Sequence, residues 1–395
     1  MLKSFFTLTH LTTGFIAVLV GFSSSAVIIF QAASSAGATP AEISSWLWAL
    51  GLGMSFTTIG LSLYYRTPVL TAWSTPGAAL LVSGLSGFSL NQAVGIFLFS
   101  SLLITLCGIT GWFQLMMRYV PRSLASAMLA GVLLQFGMNL FVVLESRFLL
   151  VGAMLLVYLF VRHTWPRYVV PLALLLGLGV AYAQGSLQLD SLTWELSRPV
   201  WVTPEFSLSA LMGVGLPLFI VTMASQNVPG IAVLRANGYQ TPASPLISLT
   251  GLTGILLAPF GGFAFNLAAI TAAICMGEEA DRDPKKRFLA AIWAGVFYLL
   301  IGLFGATVAA LFAAFPSELI MGIAGLALLG TIGNSLAQSL TESDEREAAL
   351  LTFLITASGM TLLGIGSAFW GLLIGLAAHH LQQRKQRKSR LENSA

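Results

Sequence analysis

The chain is constrained first by its charge-free runs: from residue 11 onward, long apolar stretches recur with hardly a charged side chain inside them. The first reads LTTGFIAVLVGFSSSAVIIF, enough to cross about 30 Å of hydrocarbon as one helix. Charged residues make up only 9% of the 395 positions and hydrophobic ones 56%, where a soluble domain carries about 25% charge. Lipid offers no partners to backbone polar groups, so each span must satisfy its own, chiefly as helix. The sequence is that of an all-α polytopic membrane protein. Its amino-terminal run lacks a small-residue cleavage pattern and reads as a first span rather than a removed leader.

Hydropathy and helix breakers mark fourteen spans: 11–36, 41–64, 67–83, 89–117, 121–143, 147–163 and 167–184, then 208–236, 243–259, 261–277, 287–314, 316–338, 346–364 and 366–382. A polar stretch with Pro199 and Pro204 separates the two sets. The basic tail RKQRKSR argues for a cytoplasmic carboxy terminus, and an even number of spans puts the amino terminus on the same side. The outer loops then hold only Arg147 and Arg198 of the 19 basic residues, while Arg66, Arg122, Arg162, Arg235, Lys285, Lys286 and Arg346 fall inside. Gaining or losing one central span would spoil that partition.

The two sets repeat each other. Gly108-x-x-Gly111 precedes Pro121 and the pair Ala130–Gly131; Gly302-x-x-Gly305 precedes Pro316 and the pair Ala324–Gly325. Each feature recurs after 194 or 195 residues. A unit of seven spans, an odd number, must insert its second copy upside down, the inverted-repeat plan of many secondary transporters. Such proteins bind substrate near the midplane, where discontinuous helices expose backbone groups.

Two repeat mates look discontinuous. In RTPVLTAWSTPGAAL, Pro68 disfavours helix before it and VLTAW suits a short extended strand. Ser74-Thr75-Pro76-Gly77 then reads as a hydroxyl cap followed by proline, a half-helix start inside the membrane. Its unpaired amides around Gly77 and Ala78 would suit an anion. In the mate PFGGFAFNLAAITAAI, Pro259, Gly261 and Gly262 break the chain, and Asn266 is expected to cap a second half-helix.

The run TMASQNVPGI places Ser225, Gln226 and Asn227 in an apolar span, just before the helix breakers Pro229 and Gly230. These side chains serve either as interhelical glue or as part of a site. The repeat shift sets Gln31 opposite Gln226, which favours the site. All acidic residues fall in expected loops or span ends. Glu145 lies closest to hydrophobic depth, with Arg147 beside it as its expected partner. No buried acid offers a proton relay. Cys107 and Cys275 lie in apolar runs, and His10, His163, His379 and His380 are scattered, so no metal site, cofactor, nucleic-acid partner or enzymatic nucleophile–base pair is expected.

The stretches LTAWSTPGAALL, VTMASQNVPGIAVLRANGY, LAAITAAIC and GIGSAFWGL resemble the benzoate/proton symporter family of bacterial inner membranes, along about residues 10–380. That family is similar in turn to the uracil/xanthine and sulphate permeases. The resemblance implies a uracil-permease-like fold of seven plus seven spans, with strands and half-helices in spans 3 and 10. It assigns 1–120 and 208–314 to a core domain and 121–184 and 315–382 to a gate domain. Residues 185–207 become an outer linker and 383–395 a cytoplasmic tail; relatives of this fold often pair as homodimers. It implies import of benzoate, or a related aromatic carboxylate, with a proton across the lipid. By position, the substrate site falls on Trp73, Ser74, Thr75 and Gly77, on Phe265, Asn266 and Leu267, and on Ser225, Gln226 and Asn227 with Gln31 beside them. Nucleobase permeases have acids on spans 8 and 10, where this chain has amides and a hydroxyl. That departure suits a carboxylate; a nucleobase or other small-anion permease, or an uncoupled anion pathway, is the alternative.

Overall fold

The computed structural model describes residues 7–112, 121–165, 168–187, 194–278, 280–362 and 365–392. The end of the expected fourth span and part of the expected linker lie outside them. Helices α1 (Leu8–Ser35) and α2 (Pro40–Tyr65) come first. A capping box sets the start of α2: Thr39 Oγ1 accepts from the Glu42 amide while Glu42 Oε2 accepts from the Thr39 amide. Strand β1 (Thr71–Trp73), α3 (Thr75–Gly84) and α4 (Leu90–Thr110) follow, then α5 (Arg122–Ser146), α6 (Phe148–Val161) and α7 (Val169–Ala183).

The second part begins with α8 (Leu208–Arg235), which contains two π turns, Leu211–Gly215 and Met223–Asn227. Next are α9 (Ala243–Leu257), β2 (Phe265–Leu267), α10 (Ile270–Met276), α11 (Phe288–Leu303), α12 (Gly305–Ala313) and α13 (Ser317–Ser339). The chain ends with α14 (Arg346–Ala357), a short antiparallel pair β3 (Thr361–Leu362) and β4 (Ile365–Gly366), and α15 (Ser367–Glu392). Among the described residues six helices are long and apolar enough to cross a membrane, or up to eight if each bent pair counts as one.

Helix α5 packs along α13 and α14, α2 along α11, and α4 along α9. Backbone contact between α2 and α11 is close because Gly51 and Gly302 meet there: a Cβ on Gly51 would lie 2.5 Å from the Gly302 Cα. Helices α1 and α3 touch α5, α7 and α13, which brings the two groups together around a cavity. The polar segment 194–207 lies over α2, α4 and α11–α12, with bonds from the Val200 amide to Ser45 Oγ, the Glu205 amide to the Asn91 carbonyl, and the Ser197 amide to the Leu303 carbonyl.

Polar contacts tie helix ends at each face. On the face bearing Arg66 and Lys286, the His10 Nε2 lies 2.9 Å from Asp281 Oδ2, and Ser123 donates to Glu345, itself 3.9 Å from His379 Nδ1. On the opposite face Arg147 Nε lies 3.3 Å from Glu318 Oε1. Arg147 therefore pairs with Glu318 rather than with Glu145, because the carboxylate offered by α13 across the interface is better placed than the one two residues back.

Burial raises the Asp281 carboxyl, yet the Asp283 amide and the His10 ring together hold it below its usual value. A depressed carboxylate contributes stability above its unfolded pKa of about 3.9, and that contribution disappears as pH falls through the lowered folded value. Protection of the loop amides before α11, measured against their intrinsic exchange rates, is expected to fall below about pH 4. In Asp281→Asn it should already be low at neutral pH.

Three expectations need correction. The second half-helix starts at Ile270, not at Asn266, which lies within β2; its cap residue Ala269 has no capping side chain. The span expected at 287–314 is broken at Phe304, and its two helices bend by 67°, where Gly302 and Gly305 weaken the helix. Helix α8 is not broken at Pro229. The Val228 amide bonds the Met223 carbonyl across the preceding π turn, so the bulge absorbs the missing proline donor. Separately, α15 runs on to Glu392, so residues 383–392 are helical.

Candidate functional site

Strands β1 and β2 pair antiparallel in the register Thr71↔Leu267, Ala72↔Asn266 and Trp73↔Phe265. They are held in place by buried hydroxyls. Thr71 Oγ1 lies 2.6 Å from Thr57 Oγ1 and 2.8 Å from Thr58 Oγ1, and the Thr71 amide donates to Thr58. Asn227, fully buried on α8, accepts from the Leu267 amide at 3.0 Å and donates to Met223 Sδ at 3.1 Å.

A cavity of about 610 Å³ lies beside this strand pair, within the ~300–1,000 Å³ range of small-molecule sites. Trp73, Thr75, Ser225 and Gln226 line it, as do Ser25, Thr271 and Tyr298. The indole of Trp73 is fixed by two contacts: its Nε1 donates to Ser25 Oγ at 2.8 Å, and Phe22 meets it edge-on with centroids 5.7 Å apart. The Ser225 hydroxyl is spent on the Val221 carbonyl. Gln226 has no hydrogen-bond partner among the described residues, so its carboxamide is available to a ligand. Among the described residues the lining contains no aspartate or glutamate, and its one formal charge is Arg122, exposed at the start of α5.

Other expected site residues stand elsewhere. Ser74 is buried and caps α3, accepting from the Gly77 amide through Oγ at 3.0 Å and from the Ala78 amide through its carbonyl at 2.7 Å. The amides expected to meet an anion, Gly77 and Ala78, are therefore already bonded. Pro76 has none, which leaves the Thr75 amide and hydroxyl at that helix start. Gly77 itself packs closely, since a Cβ there would lie 2.7 Å from Leu218 Cδ1. The Phe265 ring sits against Gly53 and Gly254, between α2 and α9, and Leu267 sits against Gly230. Asn266 donates to the Ala264 carbonyl, and its buried Oδ1 has no partner. Gln31 is half-buried on α1 and does not line the cavity. A π turn adds a residue to α8, and each residue turns a helix face by about 100°. The turn at Met223–Asn227 therefore sets Gln226 on a different face from the one a regular helix would give it.

Asn227→Ala is expected to act on stability. Leaving the Leu267 amide unpaired should cost about 1–3 kcal/mol, read as a lower melting temperature in detergent. Asn227→Asp, which keeps the acceptor, should lose less.

The profile of the benzoate membrane transport protein family matches residues 4–381 of this chain. The chain belongs to that family. It is 54% identical over 365 residues to the inner membrane protein YdcO of Escherichia coli strain K12, covering 92% of this chain and 93% of YdcO. It is 40% identical over 380 residues to the benzoate membrane transport protein of Acinetobacter baylyi, covering 96% of each. As a family member it is a multi-pass inner-membrane transporter, and its relatives are transport proteins rather than enzymes.

The fold is shared more widely. The transmembrane domain of the cyanobacterium bicarbonate transporter BicA superposes with a TM-score of 0.58 at 13% identity, covering 94% of this chain and 97% of that one. SLC26A9 gives 0.58 at 12% identity, with 94% of this chain and 65% of the longer partner covered. For this family member the residues hidden from sequence reasoning are Arg122, Ser126, Thr331, Asn334 and Gln338, which also line the cavity. Their spacing along α5 and α13 is a polar stripe that could have flagged them.

Proposed function

We propose that this protein is a secondary active transporter that imports benzoate, or a related aromatic carboxylate, together with a proton. The observation that carries this reading is the cavity's chemistry. An aromatic wall at Trp73 and neutral donors at Thr75, Gln226 and Thr271 line it, with no carboxylate among the described residues. An acid there would repel the substrate, whereas amides and hydroxyls bind its oxygens, and an indole covers its ring. The family's name and the curated relative from Acinetobacter baylyi support the same substrate.

We further propose fourteen spans arranged as an inverted repeat, with both termini cytoplasmic, and alternating access of spans 1–4 and 8–11 against spans 5–7 and 12–14. The strand register supports the repeat. Ala72 pairs with Asn266, 194 residues on, the same offset that relates Gly108 to Gly302. A two-fold axis through the strand pair requires such self-pairing. The reciprocal contacts of α2 with α11 and α4 with α9 support it as well.

With no carboxylate lining the cavity among the described residues, the proton is proposed to join the substrate after it binds as the carboxylate, and to cross on it. Uptake into proteoliposomes with an alkaline interior tests coupling, measured as the saturable excess over protein-free liposomes because neutral benzoic acid crosses lipid unaided. The expected result is a saturable initial rate above that of protein-free liposomes, driven by the pH gradient and persisting in Glu145→Gln. A saturable rate indifferent to the pH gradient would make the protein a passive pathway; loss of coupling in Glu145→Gln would place the proton on the protein.

A further inference from the structure

The cavity has a polar wall that the midplane site does not use. Arg122, Ser126 and Leu129 line it from the first turns of α5, and Thr331, Asn334, Ser335 and Gln338 line it from the last turns of α13. Residues three and four apart share one helix face, so each set forms a continuous strip. The two helices pack together and run antiparallel, because Arg147 beyond the end of α5 pairs with Glu318 at the start of α13. Arg122 and Gln338 therefore lie at the same end, on the face that bears Arg66 and Lys286.

Arg122 has no ion-pair or hydrogen-bond partner among the described residues. An acid in this corner, Glu345, is held by the adjacent Ser123 hydroxyl and lies 3.9 Å from His379. An unpaired guanidinium beside a polar strip, in a cavity without acids, creates a positive potential that low-dielectric walls focus. Guanidinium geometry also suits a carboxylate better than any neutral donor.

We propose that Arg122 makes this end of the cavity an anion vestibule, a second and weaker carboxylate subsite between the midplane site and the basic face. The identity of its natural ligand rests on the benzoate reading. Its potential belongs to the chain alone and is measured without benzoate.

The test uses Ser126→Cys as a reporter one helical turn from Arg122, on a background whose native thiols, Cys107 and Cys275, are buried. Rates of reaction with an anionic and a cationic methanethiosulfonate of similar size are compared from the basic face. The anionic preference is expected to fall about tenfold when Arg122→Gln is added, to stay within about twofold with Arg122→Lys, and to fade as salt is raised. Thr331→Cys on α13 is a second reporter should Ser126→Cys fold poorly. No reaction at either thiol, or a ratio indifferent to Arg122→Gln, overturns the vestibule.

A parallel arm separates the two readings. In wild type and Arg122→Gln, the benzoate KM is measured from each face; only that from the basic face should rise, by about tenfold. Charge-dependent thiol rates without benzoate transport would leave the vestibule standing and remove the substrate. Benzoate transport with charge-indifferent rates would do the reverse.

Discussion

Gln226→Ala is expected to weaken benzoate binding by about 10- to 100-fold while leaving the melting temperature almost unchanged. Hydrogen bonds to charged groups contribute about 1.5–3 kcal/mol, which is that range in affinity. Stability should hold because the carboxamide has no partner among the described residues to lose. Gln226→Glu should be more damaging still, since it fills the same volume with a like charge. Gln31→Ala, at the repeat mate outside the cavity, should leave binding as it is. Calorimetric titration of the purified variants separates these outcomes; equal losses at both glutamines would return Gln226 to the role of interhelical glue.

The second large effect is structural. Gly261 has φ +94°, and a Cβ built there would lie 1.8 Å from Trp46 Cδ1. Trp46 cannot retreat: it is buried edge-on against Phe97 at 5.2 Å and Phe263 at 5.8 Å. Gly261→Ala therefore meets an unfavourable backbone and an immovable ring, each costing about 1–3 kcal/mol. The turn it disrupts delivers the chain into β2, so the expected result is little monodisperse protein on size-exclusion chromatography and a melting temperature lower by about 10 °C or more. Gly60→Ala, where nothing lies within 4 Å of the added atom, is the matched control and should behave as wild type.

The two half-helices show what was legible and why. The start of α3 announces itself through a hydroxyl cap and a proline at the second position, both local signals. The start of α10 has neither, since Ala269 caps it with no side chain, and Asn266 in the strand is a better cap by composition alone. Thr75 shifted by the sequence offset of 194 or 195 residues gives 269 or 270, where α10 begins.

Polar residues in apolar spans could be counted from the sequence, but their directions could not. Ser225 and Asn227 flank Gln226, yet one bonds its own helix and the other holds β2, leaving the middle residue free. A π turn sets those directions, and no local residue preference foretells it. Arg122 was legible only as an inner-loop charge. Its place on the cavity wall depends on how α5 packs against α13, information carried by distant residues.

The proposed substrate of this cavity, with its neutral donors, indole and arginine, is an aromatic carboxylate. Direct titration of the purified wild-type protein with benzoate, uracil and sulphate at one pH and salt concentration tests it most directly. Saturable benzoate binding that Gln226→Glu abolishes, with no binding of uracil or sulphate, is the predicted result. Binding of uracil or sulphate with none of benzoate would contradict it.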